Sequence, residues 1–394
     1  MRVSGTLRIP AFALSLGCLH AQAQLALSAN DGKQPLLSEA PKSHTADNLV
    51  VIDLSQSPPR AIGKVEVPTS MIGPPVAVAV AHSGKFAVVT NAKKFDPSDG
   101  TKFVLDDTVS VIDLKAPSHP TVVQTLKGGD GATGVCFNKS DTLALVAATG
   151  GKVSAFAVAG ETLTLVDTLE LDPKAQPVDV AISPDGKTAL VTQRSAPSVV
   201  RLAIDGNKVT KTGIEMETGR QTYGVVFSLD GRLAYNTNLG GRLSRANEDV
   251  SVRSPPAPPI GTVTVIDMNS NKVVNTVDVG VTPEHLTLSH DGRYLALVIG
   301  NGSSAPAGSA HYNSYGFLKV YRVDGPKLTE AAETKTGGWG QGATWNKDGN
   351  LLLLQSGVDK DIEVYHFNGT SLVRQSSTIK VDGRPGSIAT ALSR

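Results

Sequence analysis

One pattern repeats along almost the whole chain: an apolar strand, a tight turn and a second apolar strand. The clearest copies are VDVAISPDGKTALVTQ (178–193), YGVVFSLDGRLAYNTN (223–238), EHLTLSHDGRYLALVIGN (284–301) and QGATWNKDGNLLLLQSG (341–357), and looser copies occupy 75–92 and 132–149. The Asp-Gly pairs in the clear copies favour positive φ, so they predict tight turns between antiparallel strands. The chain is therefore predicted to be all-β and built from repeated hairpins.

A third strand follows each hairpin, and a fourth follows the third. Three copies of the third strand are nearly identical, VVIDL (50–54), VSVIDL (109–114) and VTVIDM (263–268), and divergent copies lie at 153–158, 199–204, 318–323 and 362–367. Four antiparallel strands in each repeat of about 44 to 60 residues are typical of propeller blades. Seven copies of the third strand predict a seven-bladed β-propeller.

The two ends of the chain complement each other. The segment 384–392 matches the first strand of a blade, after which the chain stops. Near the N-terminus, 25–28 resembles a second strand and 48–54 a third. We therefore expect one C-terminal strand to join three N-terminal strands in the seventh blade. This closure would leave the ring without an exposed edge strand, which would otherwise favour aggregation.

The repeats resemble those of the YVTN-type propellers, a superfamily that includes the lactonase-like seven-bladed propellers. The resemblance rests on the run SPDGKTALVT (183–192) and on the three VIDL-type strands, and the repeats cover nearly all of the chain after residue 23. It implies the fold. It does not imply one function, because the superfamily includes enzymes, binding proteins and subunits of larger complexes.

The N-terminus has the pattern of an export signal. Arg2 and Arg8 precede an apolar stretch (9–19), which is followed by the small-x-small sequence Ala21-Gln22-Ala23. This pattern predicts a signal peptide over 1–23, a single propeller domain over 24–394, and a periplasmic or secreted protein. The apolar stretch is too short to span a bilayer, so we expect no membrane insertion.

Charge and motifs exclude several classes of function. With 37 Lys+Arg against 36 Asp+Glu, the formal net charge is +1, so nucleic acid is not an expected partner. After cleavage Cys136 would be the sole cysteine, and the histidines are dispersed. We therefore predict no metal site, and the sequence identifies no cofactor. It does not indicate an oligomeric state.

The long insertions of the repeats all follow a second strand. They occupy Asn30–Asp47, Ala92–Asp106, Leu239–Ile260 and Gly300–Gly316, whereas the turns between first and second strands are short. Because the connections of a blade alternate between its two faces, all four insertions are expected on one face. Long loops in a compact domain are either functional or disordered, and four on one face favour a functional face.

The loops that lead into each blade should surround the mouth of the central channel on this same face. Polar residues from different blades would converge there and form a ligand site. The predicted ligand-binding residues are Asp130, Asp179, Arg220, Gln221, Tyr223, Trp339, Gln341 and Arg384. Glu284 and His285 are the predicted catalytic residues, because either can act as a general base.

The stretch 282–292 resembles the Pro-Arg-His stretch of the 6-phosphogluconolactonase-like propellers. His285 matches the histidine, but Glu284 stands in place of the arginine. Loss of that cation argues against a phosphorylated sugar and leaves hydrolysis of other lactones open. If the protein hydrolyses a lactone, Arg220 or Arg384 would stabilise the oxyanion that develops in the reaction.

Three functions therefore stay open. The first is a binding module that holds a small molecule or a periplasmic partner protein on the face with the long loops. The second is a lactonase-like hydrolase acting at the channel mouth. The third is a non-catalytic subunit of a periplasmic redox complex, which a large apolar patch would support.

Overall fold

The computed structural model describes Met1, residues 24–36, Glu39, residues 45–243 and residues 258–391. The predicted signal peptide and most of the predicted loop at 239–260 lie outside these residues. Within the described part of the chain, the strands form seven four-stranded antiparallel sheets, and the fold is a seven-bladed β-propeller. No helix in these ranges has the length and apolar character needed to cross a membrane.

Six blades are continuous in sequence and one is composite. Blade 7 contains β1 (Leu25–Asp31), β2 (Asn48–Asp53) and β3 (Arg60–Glu66), and blade 1 contains β4 (Val78–Val80), β5 (Phe86–Asp96), β6 (Asp99–Asp113) and β7 (Thr121–Lys127). Blade 2 contains β8 (Ala132–Phe137), β9 (Leu143–Ala148), β10 (Lys152–Ala159) and β11 (Thr162–Glu170). After a 3₁₀ turn (Pro173–Ala175), blade 3 contains β12 (Pro177–Ile182), β13 (Thr188–Gln193), β14 (Ser198–Asp205) and β15 (Lys208–Glu217). Blade 4 contains β16 (Thr222–Phe227), β17 (Leu233–Asn238), β18 (Ile260–Asp267) and β19 (Lys272–Val281), and blade 5 contains β20 (Pro283–Leu288), β21 (Tyr294–Ile299), β22 (Gly316–Asp324) and β23 (Lys327–Thr336). Blade 6 contains β24 (Gly340–Trp345), β25 (Leu351–Ser356), β26 (Asp361–Phe367) and β27 (Leu372–Lys380), and β28 (Arg384–Thr390) completes blade 7.

The predicted ring closure is confirmed. The last strand, β28, pairs antiparallel with β1, the first strand of the chain, with Ala389 opposite Leu27 and Ile388 opposite Ser28. Ile388 packs in one apolar cluster with Ile52 of blade 7 and Leu353 of blade 6. The first and last strands, β1 and β28, thus pack together against blade 6.

Burial follows the position of a strand within its blade. The second strand of blade 2, β9, is buried along its whole length, whereas the outer strand of blade 1, β7, alternates between exposed and half-buried positions. Inner strands are covered on both faces by the neighbouring blades, so they read as continuous apolar runs. This explains why the hairpins of the inner strands dominate the repeat pattern.

The predicted Asp-Gly turns form with a shared set of hydrogen bonds. In the turn of blade 3, Ser183 Oγ donates to Asp185 Oδ1 (2.6 Å), and Asp185 Oδ1 also accepts from Lys187 N (3.0 Å). Gly186 has a φ of 72°, the left-handed conformation that favours glycine. The serine and aspartate make the same pair in blades 4 and 5.

One predicted loop is a hairpin instead. The insertion Ala92–Asp106 extends β5 and β6, with Lys93 opposite Leu105 and Phe95 opposite Phe103. The two phenyl rings stack with centroids 4.7 Å apart, and such cross-strand aromatic pairs stabilise a ladder. The charged residues around them led to the prediction of a loop, because they hide the alternation of the strands.

Candidate functional site

The four insertions start at the ends of the second strands β1, β5, β17 and β21, so they do start on one face of the propeller, which we call the loop face. On this face, in blades 2 to 6, the segment after the second strand hydrogen-bonds to the loop that leads into the same blade, here called the lead-in loop. Arg194 N donates to the Gln176 carbonyl (3.0 Å), Leu239 N to that of Gln221 (3.1 Å) and Gly300 N to that of Thr282 (2.7 Å). The repeats therefore place the lead-in loops in equivalent positions around the channel.

A left-handed residue stands immediately before six of the seven inner strands. Gln176, Gln221, Thr282 and Trp339 have φ values of 53°, 54°, 60° and 54°, and Gly131 and Gly383 take the same region. Directly after this turn the inner strand bulges. In blade 5, Pro283 pairs with Ile299 and His285 with Val298, so Glu284 is the extra residue of the bulge. Bulges redirect a side chain relative to the regular strand, which sets Glu284 apart from its neighbours.

The channel mouth is covered by residues 69–75, which we call the plug. The plug lies against six blades. Ser70 Oγ accepts a hydrogen bond from Ala92 N of blade 1, and Met71 donates through its backbone N–H to Asp31 Oδ2 of blade 7 and lies beside Gly357 of blade 6. Gly73 lies beside Thr133 of blade 2 and Val178 of blade 3, and its carbonyl accepts from Tyr223 Oη of blade 4. Beneath it, the channel holds a cavity of only about 20 Å³, room for about one water molecule. A small-molecule ligand does not fit in this cavity beneath the plug.

Beside the plug, Tyr223, Glu284 and Arg194 form a polar group across three neighbouring blades. Glu284 is buried, and burial raises its pKa to about 7, while the Arg194 charge and a hydrogen bond with Tyr223 lower that pKa only in part. The Arg194 guanidinium lies 5.8 Å from the centre of the Tyr223 ring. A buried carboxyl that titrates near neutral pH can act as a general base.

Arg194 also belongs to an open pocket on the loop face at the boundary of blades 3 and 4. The pocket has a volume of about 450 Å³, in the range of small-molecule sites. The described residues that line it include two arginines and no carboxylate: Arg194, Ser195, Ala196, Pro197, Arg220, Gln221 and Leu243. Two guanidinium groups on one pocket favour an anionic ligand, because each offers paired donors to an oxyanion.

The structure separates Arg384 and His285 from this pocket. The Arg384 guanidinium donates to the carbonyls of Gln34 (2.9 Å) and Gly357 (2.7 Å), so it ties the ends of blades 6 and 7 together. His285 accepts a hydrogen bond from Ala343 N (3.1 Å) at Nδ1 and lines the narrow channel beneath the plug. Of the predicted residues, the pocket therefore brings together Arg220 and Gln221, with Tyr223 and Glu284 behind Arg194.

The other predicted ligand-binding residues are distributed around the ring. Asp179 is fully buried and accepts hydrogen bonds from Val180 N (2.7 Å) and Val225 N (2.9 Å), which links blades 3 and 4. Trp339 and Gln341 are buried in blade 6, and Trp339 N donates to Ser303 Oγ (2.8 Å). Asp130 is exposed at the start of blade 2. Their role in ligand binding stays a prediction.

The sequence analysis did not identify Arg194. It follows the last residue of β13 directly. In other blades the backbone N–H at this position donates a hydrogen bond to a carbonyl of the lead-in loop. A search of that repeat position for charged side chains would have found it.

No family model matches the chain, and no curated protein matches it either. Solved structures match its fold over nearly their whole length. A proposed 6-phosphogluconolactonase from Bacteroides fragilis aligns with a TM-score of 0.69 at 17% identity, covering 94% of this chain and 99% of that chain. A functionally unknown protein from Desulfotomaculum acetoxidans gives 0.67 at 15%, covering 93% and 99%. The periplasmic gluconolactonase of Pseudomonas aeruginosa gives 0.66 at 15%, covering 95% and 100%. These likenesses establish that the chain shares the seven-bladed β-propeller fold of these proteins.

Proposed function

We propose that the protein binds a small organic anion, of the sugar-acid or carboxylate class, in the pocket between blades 3 and 4. The observation that carries this proposal is the lining of that pocket, which includes Arg194 and Arg220 and, among the described residues, no Asp or Glu. Anions bind well where paired guanidinium donors are already held in place. Arg194 is held by its backbone bond to Gln176, and the Arg220 backbone pairs with Gly241 and Gly240.

We also propose that the protein is exported from the cytoplasm. The N-terminal pattern of Arg2, Arg8, the apolar stretch and the Ala21-Gln22-Ala23 sequence supports cleavage and release outside the cytoplasm. One structural neighbour is a periplasmic protein by name. We propose that the protein binds its ligand outside the cytoplasm, where the ligand is a nutrient or product in the periplasm or medium.

The proposal is tested by isothermal titration calorimetry with sugar acids, their lactones and neutral sugars. We expect a sugar acid to bind and a neutral sugar of equal size not to bind. Arg194→Ala and Arg220→Ala should each weaken binding about 10- to 100-fold, the usual range for a charged hydrogen bond. Arg232→Ala is the control, because Arg232 is exposed and paired with Asp230 in a turn on the opposite face. Equal binding by the two pocket variants and the wild type would refute the proposal.

A second candidate function is hydrolysis of a lactone in the same pocket. The pKa of Glu284, about 7, favours it, because a base with that pKa is partly ionised at neutral pH and strong enough to activate water. Arg194 lines the pocket, its charge acts on Glu284, and it would stabilise the oxyanion of a tetrahedral intermediate.

Hydrolysis has a signature that binding lacks. In a pH-stat assay with glucono-lactone-type substrates, the rate should rise with pH through about 7 as Glu284 ionises. Glu284→Gln should abolish turnover while calorimetric binding persists. If a lactone binds the wild type and no protons are released, the hydrolysis proposal fails and only the binding function is supported.

A further inference from the structure

Three carboxylates lie together on blade 6, in a part of the ring that the anion pocket does not reach. Asp359 lies in the connection before β26, and Asp361 and Glu363 are two residues apart on that strand. Residues two apart on a strand face the same side. One oxygen atom from each of the three side chains lies within 4.8 Å of the other two.

The carboxylate of Asp361 is incompletely satisfied. Asp361 is only 3% exposed, and its Oδ2 accepts a hydrogen bond from Lys380 Nζ (2.9 Å). Its Oδ1 is buried and accepts no hydrogen bond from any residue that the structure describes. A buried acceptor without a partner costs on the order of 1–3 kcal/mol, so this oxygen indicates a missing partner.

The other two carboxylates surround the same space. Asp359 Oδ2 accepts from Ser356 Oγ (2.8 Å), and Glu363 Oε1 accepts from Gly337 N (2.9 Å). A methyl group at Gly337 would clash with side-chain oxygens of Asp359, Ser356 and Glu363. The absence of a side chain at Gly337 therefore lets the Asp359 and Glu363 carboxylates pack close to this loop.

We infer that Asp359, Asp361 and Glu363 bind a divalent cation of the calcium class. Hard cations take oxygen ligands from carboxylates, hydroxyls and water, and Ca–O distances are about 2.4 Å. The three carboxylates each bring an oxygen atom within 4.8 Å of the other two, close enough for one such ion to contact all three. The cluster contains no nitrogen or sulfur ligand, which argues against zinc.

Two surface cations now neutralise part of the cluster. Arg374 Nη2 lies 2.7 Å from Glu363 Oε1, and Lys380 Nζ lies 2.9 Å from Asp361 Oδ2. Both side chains come from the outer strand β27 and are 45% and 70% exposed, so an incoming ion can displace them into solvent. The Glu363 carboxylate also accepts from the Tyr365 hydroxyl, which holds it in place. With both cations in place the cluster has a formal charge of −1, and their displacement would leave three carboxylates to the ion.

The ion would hold the loop face of blade 6 together. Glu363 reaches the lead-in loop at Gly337, and Ser356 Oγ donates to the Gly338 carbonyl (3.0 Å). Trp339 follows directly. The ion would thus lock the turn before β24 to the connection between β25 and β26.

The test is calorimetric titration of the EDTA-treated protein with CaCl₂, and with MgCl₂ and ZnCl₂ for comparison. We expect one Ca²⁺ per chain and a rise in melting temperature on binding. Asp361→Asn should weaken binding about tenfold or more, because it removes a charged ligand. Lys380→Ala should tighten binding several-fold, since it removes a competing cation, and Lys127→Ala, at the exposed Lys127–Asp107 pair of blade 1, should not change it.

The Asp361→Asn variant also separates ion binding from a merely structural role. Asparagine has nearly the same shape and relieves repulsion among the carboxylates, so in EDTA the variant should melt at or above the wild-type temperature. Absence of Ca²⁺ binding by the wild type would overturn the proposal. So would Ca²⁺ binding that is unchanged in Asp361→Asn, or a variant that melts lower in EDTA and gains stability from Ca²⁺ as the wild type does.

Discussion

The buried carboxyl of Glu284 is the residue whose charge state matters most on the loop face. Its ordinary pKa is 4.5, and burial raises the folded value to about 7. Tyr223 beside it has its own pKa raised, by burial first and then by the Glu284 charge. The protein thus keeps a carboxyl protonated over a pH range in which the same group in the unfolded chain is ionised.

This difference predicts how stability depends on pH. Between pH 4.5 and about 7 the folded protein binds more protons than the unfolded chain, so the free energy of unfolding falls as pH rises and levels off above 7. Full ionisation would cost on the order of 3 kcal/mol. Glu284→Gln should remove that loss, so urea unfolding should show a smaller fall from pH 5 to pH 8 than in the wild type. Parallel pH dependence in the two proteins would contradict the assignment.

At the scale of elements, the plug is held by its neighbours rather than by its own secondary structure. Asp47 Oδ2 accepts from Thr69 N (3.2 Å), and Lys33 Nζ donates to the Thr69 carbonyl and to Asp47 Oδ2 (2.7 Å). Burial raises the pKa of Asp47, and the Lys33 charge opposes that rise. The insertion of blade 7 therefore fixes one end of the plug, and Tyr223 of blade 4 fixes the other.

Removal of the second anchor should loosen the plug. Tyr223→Phe deletes the hydroxyl that donates to the Gly73 carbonyl and should lower the free energy of unfolding by about 1 kcal/mol. Amide hydrogen exchange should become faster at residues 69–76 and stay unchanged in β9. Tyr312→Phe, at an exposed tyrosine, is the matched control. Unchanged exchange at the plug would show that this bond does not hold it.

At the scale of the whole molecule, stability depends on the closure of the ring. Ile388 of the last strand is 3% exposed and joins residues of blades 6 and 7 in one cluster. The β1–β28 ladder is the sole backbone pairing between the two ends of the described chain. Each blade gains its burial from both neighbours, so a defect at the closure should affect the ring as one unit.

Ile388→Ala should therefore destabilise the protein by about 2–4 kcal/mol, the range for a buried aliphatic side chain replaced by alanine. Val373→Ala, on the outer strand of the adjacent blade and 55% exposed, should cost less than about 0.5 kcal/mol. Denaturant unfolding followed by circular dichroism and by Trp339 and Trp345 fluorescence would measure both. An equal effect of the two substitutions would argue against a stabilising closure.

The sequence was informative wherever the same short pattern of turn residues or apolar residues recurs in several blades. The Asp-Gly turns, the VIDL-type strands and the match between 384–392 and the first strand of a blade were enough for the blade number and the closure. The extended hairpin at 92–106 was missed, because the pairing of Phe95 with Phe103 depends on register across the turn. The carboxylate cluster was also missed, although the alternation in DKDIE (359–363) is visible in the sequence.

The sequence alone thus determined the architecture, because each blade is specified by short-range patterns of apolar residues and turns that recur seven times. Only the tertiary structure decided which polar residues meet. Arg384 and His285 looked as available as Arg220, yet the ring directs the first to backbone carbonyls and the second into the channel. Residues 69–75 give no local sign that they cover the channel, since their contacts come from six blades. Contacts between blades depend on the curvature and closure of the whole ring, which no single repeat encodes.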